Sequence, residues 1–169
     1  VITYYGVSCF KIQSGETVLV FDPPSKKSPF KTPRFAANIA LISHNHENHS
    51  GEGFLPPEDS VFVVKGPGEY EREGVYIKGI KSLHDDEGGG RYGLNTIYAV
   101  NIEGVTLCHM GDFGEKSLKP EIKEALGEVD ILFIPVGGKT VIDGETAAKI
   151  INQIEPKIII PMHYSIEKS

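Results

Sequence analysis

Three histidines follow an apolar run of strand length in the stretch NIALISHNHENHSG, residues 38–51. The run at 38–43 predicts a buried strand, and His44, His46 and His49 begin where that strand ends. Loops at the carboxyl ends of strands often carry binding and catalytic side chains. Neutral imidazole nitrogens are good ligands for zinc and similar ions. Because packing does not readily explain three histidines so close together, the stretch predicts a metal-binding loop.

The rest of the chain consists largely of short apolar runs separated by turn residues. Strands are predicted at 1–5, 9–13, 17–22, 61–65, 75–81, 95–102 and 104–109. Two helices are predicted after them, at 118–126 and 145–154, and Asp143 is a predicted N-cap for the second. Buried strands are expected after each helix, at 129–136 and 157–162. Strands early and strand–helix alternation late predict an α/β sandwich, with two sheets face to face and helices outside.

The length and composition narrow the class of protein. A chain of 169 residues is near the usual size of one domain, so a single domain over 1–169 is expected. No apolar run approaches the about 20 residues that a membrane span needs, and no signal-peptide pattern opens the sequence. Cys9 and Cys108 lack the spacing of a zinc knuckle or redox pair, which favours a cytoplasmic protein. A net charge of −6 argues against general nucleic-acid binding, and self-association is left open.

Polar side chains also follow other predicted strands, and they complete a family resemblance. SHNHENH resembles the His-x-His-x-Asp-His signature of the metallo-β-lactamase fold. VFDPP resembles the first motif of that superfamily, and three later positions match its third, fourth and fifth motifs in order. The matching residues are Asp22, His84, Asp112 in HMGD and His163 in IPMHY. GPGEY, VDILFIPVGG and PKIIIPMHY are most similar to a small branch that includes L-ascorbate-6-phosphate lactonase.

The resemblance implies a four-layer αββα sandwich with a site for one or two divalent metal ions, zinc first and manganese, nickel or iron as alternatives. It would place His44, His46 and His84 on a first ion, His49 and His163 on a second, and Asp112 between the two. Asp22 would support the histidine loop without touching metal. His109 matches no ligand position, so it is expected to face substrate or support the site, with a purely structural role as the alternative.

Two positions depart from the family pattern. Asn48 stands where the signature has aspartate, and a neutral amide oxygen is a poorer metal ligand, so the second ion should bind more weakly. The amide can still accept a hydrogen bond from an attacking water, although it cannot take the proton. Val7 stands in GVS where related small members carry Gly-His-Ser, and this removes a polar group. Taken with the family positions above, the candidate catalytic residues are Asp112, His109 and Asn48.

The family chemistry implies a hydrolase that uses a metal-bound hydroxide, with Asp112 orienting it or accepting its proton. A basic stretch at 23–34 would favour a small anionic ester or lactone as substrate if it lies at the site, and a solvated loop is equally consistent. The basic residues are Lys26, Lys27, Lys31 and Arg34. A phosphodiesterase or nuclease remains an alternative, as does a metal-binding protein without catalysis.

Two glycine-rich stretches are possible parts of the site rim. GGKT at 137–140 lacks the spacing of a phosphate-binding loop, but Lys139 or Thr140 could touch substrate. The stretch at 85–93 is a flexible turn or a lid, with Arg91 as a candidate contact for an anion.

Overall fold

A computed structural model describes residues 1–25, 28, 36–51 and 60–164. Within these residues, the strands form two sheets. The five-stranded sheet contains, in spatial order, β1 (Ile2–Tyr4), β2 (Phe10–Ser14), β3 (Thr17–Phe21), β4 (Ile39–Ile42) and β5 (Phe62–Lys65). The six-stranded sheet contains β6 (Gly68–Arg72), β7 (Val75–Leu83), β8 (Leu94–Ile102), β9 (Val105–His109), β10 (Ile131–Pro135) and β11 (Ile158–Met162), each beside the next. The helices are α1 (Pro120–Leu126) and α2 (Gly144–Ile154).

Both sheets are mixed, and their parallel parts determine where the strand ends meet. The strands β3, β4 and β5 are parallel, and so are β9, β10 and β11. The pairings β7 with β8 and β8 with β9 are antiparallel, so β7 and β9 point the same way. The carboxyl ends of β7, β9, β10 and β11 therefore lie at one edge of the six-stranded sheet.

The main apolar core lies between the sheets. Its fully buried aromatic side chains come from both, with Phe10 and Phe21 on one side and Tyr98 and Phe133 on the other. Burying one large apolar side chain contributes about 1.5–3 kcal/mol relative to exposure. Tyr98 also links the sheets by hydrogen bonds, because its hydroxyl donates to the Ile42 carbonyl at 2.7 Å.

A second apolar cluster covers the outer face of the six-stranded sheet and includes both helices. Ile122 and Leu126 of α1 and Ile150 of α2 are buried in it. Asp143 caps α2 as predicted, since its Oδ1 accepts the Thr146 amide at 2.8 Å. Among the described residues, both helices lie on this side, and the other outer face carries a smaller apolar cluster.

The structure confirms the predicted sandwich, with differences at some elements. The helices begin at Pro120 and Gly144 rather than at residues 118 and 145. The strand β6 was not predicted, because its sequence GEYER is polar and half exposed and lacks an apolar alternation. The basic positions of the stretch 23–34 lie outside the described residues. In the described parts of the chain, no helix is long and apolar enough to span a membrane.

Candidate metal centre

Five polar side chains meet at the common edge of the two sheets. His84 and His163 directly follow β7 and β11, Asp112 follows β9, and His44 and His49 lie in the loop after β4. The Oδ2 atom of Asp112 lies 3.2 Å from Nε2 of His163, 3.3 Å from that of His84, 3.4 Å from that of His49 and 3.8 Å from that of His44. Asp112 is therefore the centre of a four-histidine cluster.

The ligand atoms of this cluster form two overlapping groups. One contains His44, His84 and Asp112, the other contains His49, Asp112 and His163, and in each group the atoms lie within 4.8 Å of one another. Because Asp112 belongs to both groups, the arrangement has room for two neighbouring ions with one shared carboxylate.

Several buried polar atoms of the cluster have no hydrogen-bond partner in the described part of the chain. They are Nε2 of His44, both ring nitrogens of His84 and Oδ1 of Asp112. An unsatisfied buried polar group costs about 1–3 kcal/mol, and folded proteins contain few of them. Imidazole nitrogen and carboxylate oxygen are the atoms that a divalent transition metal ion binds. The residues present therefore fit a metal ion.

Asp22 fixes the orientation of two of these histidines from behind. Its carboxylate accepts the Ser43 amide at 2.7 Å and the hydroxyls of Ser43 and Ser8 at 2.8 and 3.0 Å. Nδ1 of His49 lies 2.7 Å from the Ser8 hydroxyl and 3.1 Å from Asp22, and Nδ1 of His44 lies 3.0 Å from the Ser43 hydroxyl. Since these Nδ1 atoms donate, Nε2 is the nitrogen of each ring that faces Asp112, and it offers a lone pair to a metal ion when the ring is neutral.

The charges of the centre depend on one another. Burial raises the pKa of Asp112, but the positive charge of His49 and the close polar contacts of His163 and His84 bring it well below the usual value. Burial lowers the pKa of His44 to about 4 and so favours its neutral, ligating form. For His49, burial lowers the pKa, but Asp112 and then Asp22 outweigh it, and the net shift is upward. The ionised Asp112 thus faces a neutral imidazole at His44 and an imidazole at His49 whose cationic form is favoured.

His46 and Asn48 lie at the outer side of the histidine loop. His46 is exposed, and its ligand atom lies within 4.8 Å of the ligand atoms of His44 and His49. It belongs to neither of the two groups that contain Asp112. The Asn48 side-chain oxygen accepts the Ser28 hydroxyl at 2.7 Å. An attacking water could therefore use only the second lone pair of that oxygen.

His109 does not face the site, which corrects the expectation that it contacts substrate. Its side chain is 0% exposed, and its ring stacks on Phe21 with centroids 4.5 Å apart. Nε2 donates to the Ser8 carbonyl at 2.8 Å, and Nδ1 accepts the Gly111 amide at 3.2 Å. Because burial lowers its pKa and both nitrogens are engaged, His109 is a neutral core residue that supports two loops of the site.

Asn95 is a site residue that the sequence reasoning missed. It is buried at the start of β8, and its Oδ1 accepts the Asp112 amide at 2.9 Å, while its Nδ2 donates to Ser82 and to the Met110 carbonyl. A side chain at Gly111 would come within 2.4 Å of the Asn95 amide oxygen, so glycine allows this contact. The sequence feature that could have indicated it is an asparagine at the start of a largely apolar strand.

Gly114 brings the Asp112 loop against the His84 loop. A Cβ there would lie 2.3 Å from the His84 carbonyl oxygen, and the Gly114 amide donates to the Leu83 carbonyl at 3.0 Å. On the opposite side, the His163 amide donates to the Val7 carbonyl at 2.7 Å. Val7 and His163 both have a φ of 53°, which is unusual for a β-branched residue such as valine.

The loop at 85–93 is built around Asp85 and is not a loosely held turn. The Asp85 carboxylate accepts four backbone amides, from Glu87, Gly89, Arg91 and Tyr92, at 2.7–3.1 Å. These hydrogen bonds, that from Tyr92 first, lower the pKa of Asp85 to about 2. The loop thereby holds Tyr92 against His84, with ring centroids 5.0 Å apart.

Two cavities adjoin the centre, and Tyr92 lines both. The larger, about 850 Å³, lies beside His44 and is lined by Lys65, Leu94 and neighbouring residues. The smaller, about 250 Å³, lies beside His84 between the loop at 85–93 and residues 138–143, and includes Lys139 and Thr140.

Comparison with known proteins identifies the family. The profile of the beta-lactamase superfamily domain matches residues 1–163. A metal-dependent hydrolase of Thermococcus kodakarensis is 24% identical over 191 residues, covering 97% of this chain and 84% of that protein. A metal-dependent hydrolase of Thermoplasma volcanium is 29% identical over 192 residues, covering 97% of this chain and 83% of that protein.

A solved structure gives the same result. It is that of a predicted zinc-dependent hydrolase of the metallo-β-lactamase superfamily from Thermotoga maritima, which is 32% identical with a TM-score of 0.78 and covers 99% of this chain and 77% of that one. The prediction of a metal-dependent hydrolase of this superfamily is confirmed, whereas the likeness to the lactonase branch stays a prediction. The chain belongs to the metallo-β-lactamase superfamily.

Proposed function

We propose that this protein hydrolyses a small anionic ester or lactone with the help of one or two divalent ions, zinc first among them. The observation that carries the proposal is the Asp112 cluster, in which one carboxylate oxygen lies 3.2–3.8 Å from four imidazole nitrogens. The buried and unpartnered atoms among them match the ligand set of a catalytic zinc site.

The residues have separate roles in this proposal. His44, His84 and Asp112 would hold one ion, and His49, Asp112 and His163 a second. The chemistry that such an ion would supply is a bound water with a pKa of about 7 and polarisation of the carbonyl under attack. Asp112 stays ionised because its pKa is held low, so its carboxylate accepts a hydrogen bond from the attacking water and orients it.

The second group of ligands is partly prearranged by the chain itself. Asp22 and Ser8 hold the His49 ring, and the Val7 carbonyl holds the backbone of His163. Asn48 adds a hydrogen-bond acceptor but no negative charge, so we expect the second ion to bind more weakly than the first. One ion at His44, His84 and Asp112 would suffice for hydrolysis.

The test is a hydrolysis screen of the same purified protein in three forms: metal-free after chelation, zinc-loaded and manganese-loaded. The substrates are a panel of lactones and carboxyl esters, with bis-p-nitrophenyl phosphate in parallel. We expect turnover of a lactone or ester that requires metal and that is lost in Asp112→Asn. The matched control is Asp130→Asn, the same chemical change on a surface carboxylate that contacts Lys157.

Other outcomes would separate the alternatives. Turnover of the phosphodiester alone would identify a phosphodiesterase. Tight metal binding without turnover of any substrate would identify a metal-binding protein without catalysis. Turnover that survives chelation or the Asp112→Asn change would contradict the assignment of the centre.

A further inference from the structure

The smaller cavity beside His84 has cationic side chains in its wall. Arg91 lies on one side, Lys139 lies on the other, and Lys116 lies near Asp86. His84 lines the same cavity, so the cavity reaches one of the ligands of the metal centre. At about 250 Å³ it is too small for a large ligand and suits a compact group.

The acidic side chains of this cavity are mostly occupied by other partners. Both Asp85 oxygens accept backbone amides, Asp143 Oδ1 accepts the amide that it caps, and Asp86 forms an ion pair with Lys116. Within the described ranges, Arg91 and Lys139 have no such ion pair, and Glu87 is the one lining acid whose carboxylate has neither a hydrogen bond nor an ion pair. Arg91 and Lys139 are therefore the cations of this cavity that are left to meet a ligand, and they do so beside carboxylates that keep their charge at Asp85 and Asp143.

The loop holds the backbone of Arg91, and the exposed side chain packs on a neighbouring ring. Its backbone amide donates to Asp85 at 3.1 Å, and its guanidinium lies 4.8 Å from the centroid of the Tyr92 ring. The Tyr92 ring in turn contacts His84, so a single side chain separates the guanidinium from a ligand of the metal centre. A preorganised cation loses less conformational freedom on binding an anion.

We propose that this cavity is the subsite for a carboxylate or phosphate group of the substrate, which Arg91 and Lys139 bind while the scissile bond lies at the His84 end. The inference rests on the proposed function and makes it more specific. Because the cavity is short, the anionic group is separated from the reacting carbonyl by only a few bonds. Arg91 can bind an oxyanion through two parallel hydrogen bonds, and Lys139 acts as a point charge.

The experiment compares matched substrates on the zinc-loaded protein. The substrates are γ-butyrolactone bearing a γ-carboxylate, the same lactone with a neutral carboxamide, and one with a phosphomethyl group. The variants are the double substitution Arg91→Met with Lys139→Met, Glu87→Gln, and Lys149→Met as a charge control. Lys149 lies on α2 outside the cavity and pairs with Glu145.

We expect the double variant to lose about 10- to 100-fold in kcat/KM on an anionic lactone, which is the usual effect of lost hydrogen bonds to a charged group. On the carboxamide the loss should stay below about threefold, and Lys149→Met should change neither rate. Glu87→Gln should raise kcat/KM on the anions, because it removes the opposing charge. A loss on the carboxylate or on the phosphate supports the subsite and shows which anion it prefers.

Equal kcat/KM of the unaltered protein on the charged and neutral lactones would overturn the subsite, and so would an equal loss on both in the double variant. If the unaltered protein hydrolyses none of the three, the binding of inorganic phosphate by calorimetry decides the question separately. Binding at least about tenfold weaker in the double variant supports the subsite even where hydrolysis fails. Equal binding overturns it, since the phosphate then contacts other groups.

Discussion

His49 and His84 both point Nε2 at Asp112, but the protein supports them very differently. Nδ1 of His49 is held by Ser8 and Asp22, and the side chain is 1% exposed. His84 is buried too, yet neither of its ring nitrogens has a hydrogen-bond partner among the described residues. The His49 ring is therefore oriented by hydrogen bonds within the protein, whereas the His84 ring packs against Tyr92 and leaves both of its nitrogens without a partner in the described residues.

Removal of His49 and removal of His84 should therefore have different effects on stability and on metal binding. The buried charge of Asp22 depends on His49, so removal of this histidine should affect the fold itself. Removal of His84 deletes two unsatisfied nitrogens and should affect mainly what the centre binds. A ligand that binds the folded state stabilises it by an amount that grows with the logarithm of its affinity, so melting with and without metal distinguishes the two effects.

The largest loss of metal binding and hydrolysis is expected at Asp112, which both ligand groups share. Asp112→Asn removes the carboxylate shared by the two ligand groups and leaves a neutral amide among four histidines. Groups that only support a metal ligand contribute about 10–100-fold in affinity, so loss of the shared ligand should exceed 100-fold and abolish hydrolysis. Metal content per chain after dialysis measures the effect, beside Asp130→Asn as control. Retention of two ions by the variant would mean that Asp112 is not shared.

Alanine substitutions at His49 and His84 should affect stability and metal binding in opposite proportion. His49→Ala leaves Asp22 with its hydrogen bonds from Ser8 and Ser43 but without its cationic partner, and breaking such a buried pair costs about 3–5 kcal/mol, which lowers the melting temperature by about 10 °C in the absence of metal. His84→Ala should change the metal-free melting temperature little, but should reduce the rise that zinc produces. Thermal melts of both variants with zinc and with chelator give the four values needed. Equal destabilisation of the metal-free variants would show that the two histidines are supported alike.

A smaller effect is expected from restoring the carboxylate that the family pattern has at residue 48. In Asn48→Asp an oxygen can still accept the Ser28 hydroxyl, and the added negative charge strengthens the weaker ion position. Zinc content should rise from about one to about two ions per chain, with about tenfold tighter binding of the second. Asn45→Asp places the same charge on the exposed part of the same loop and should not change the content. Two ions in the unaltered protein would mean that Asn48 is sufficient as it stands.

The sequence was informative where local pattern and chain order decide the structure. Apolar runs predicted the strands, and strand ends placed His44, His84, Asp112 and His163 at one edge. The hydrogen bonds that orient these side chains could not be predicted in the same way. Ser8 reaches His49 across 41 positions, and Asn95 reaches Asp112 across 17. Neither contact leaves a periodic signal.

His109 shows how a side chain's face can be misjudged. It is a histidine at a strand end, like His84, but it is still within β9. Side chains two positions apart share a face of a strand, and Leu107 lies in the core between the sheets. This alternation places His109 in the same core, whereas Asp112 lies beyond the strand and is free to turn to the site.

The smallest change in stability is expected at Asp130, which lies away from both histidines. Its substitution therefore shows how much the loss of an ordinary surface carboxylate changes the melting temperature. Its carboxylate accepts Lys157 Nζ at 2.6 Å and the Thr106 amide at 2.8 Å, and these hydrogen bonds, Lys157 first, lower its pKa. Since the folded pKa is below the unfolded value of about 3.9, the stabilisation is complete above that pH and is lost as the pH falls through the folded pKa. Asp130→Asn should therefore melt slightly lower at pH 7, by less than His49→Ala, and the difference should shrink below about pH 4. Melting curves from pH 3 to 7 test this, and a constant difference across the range would rule out the charge as its cause.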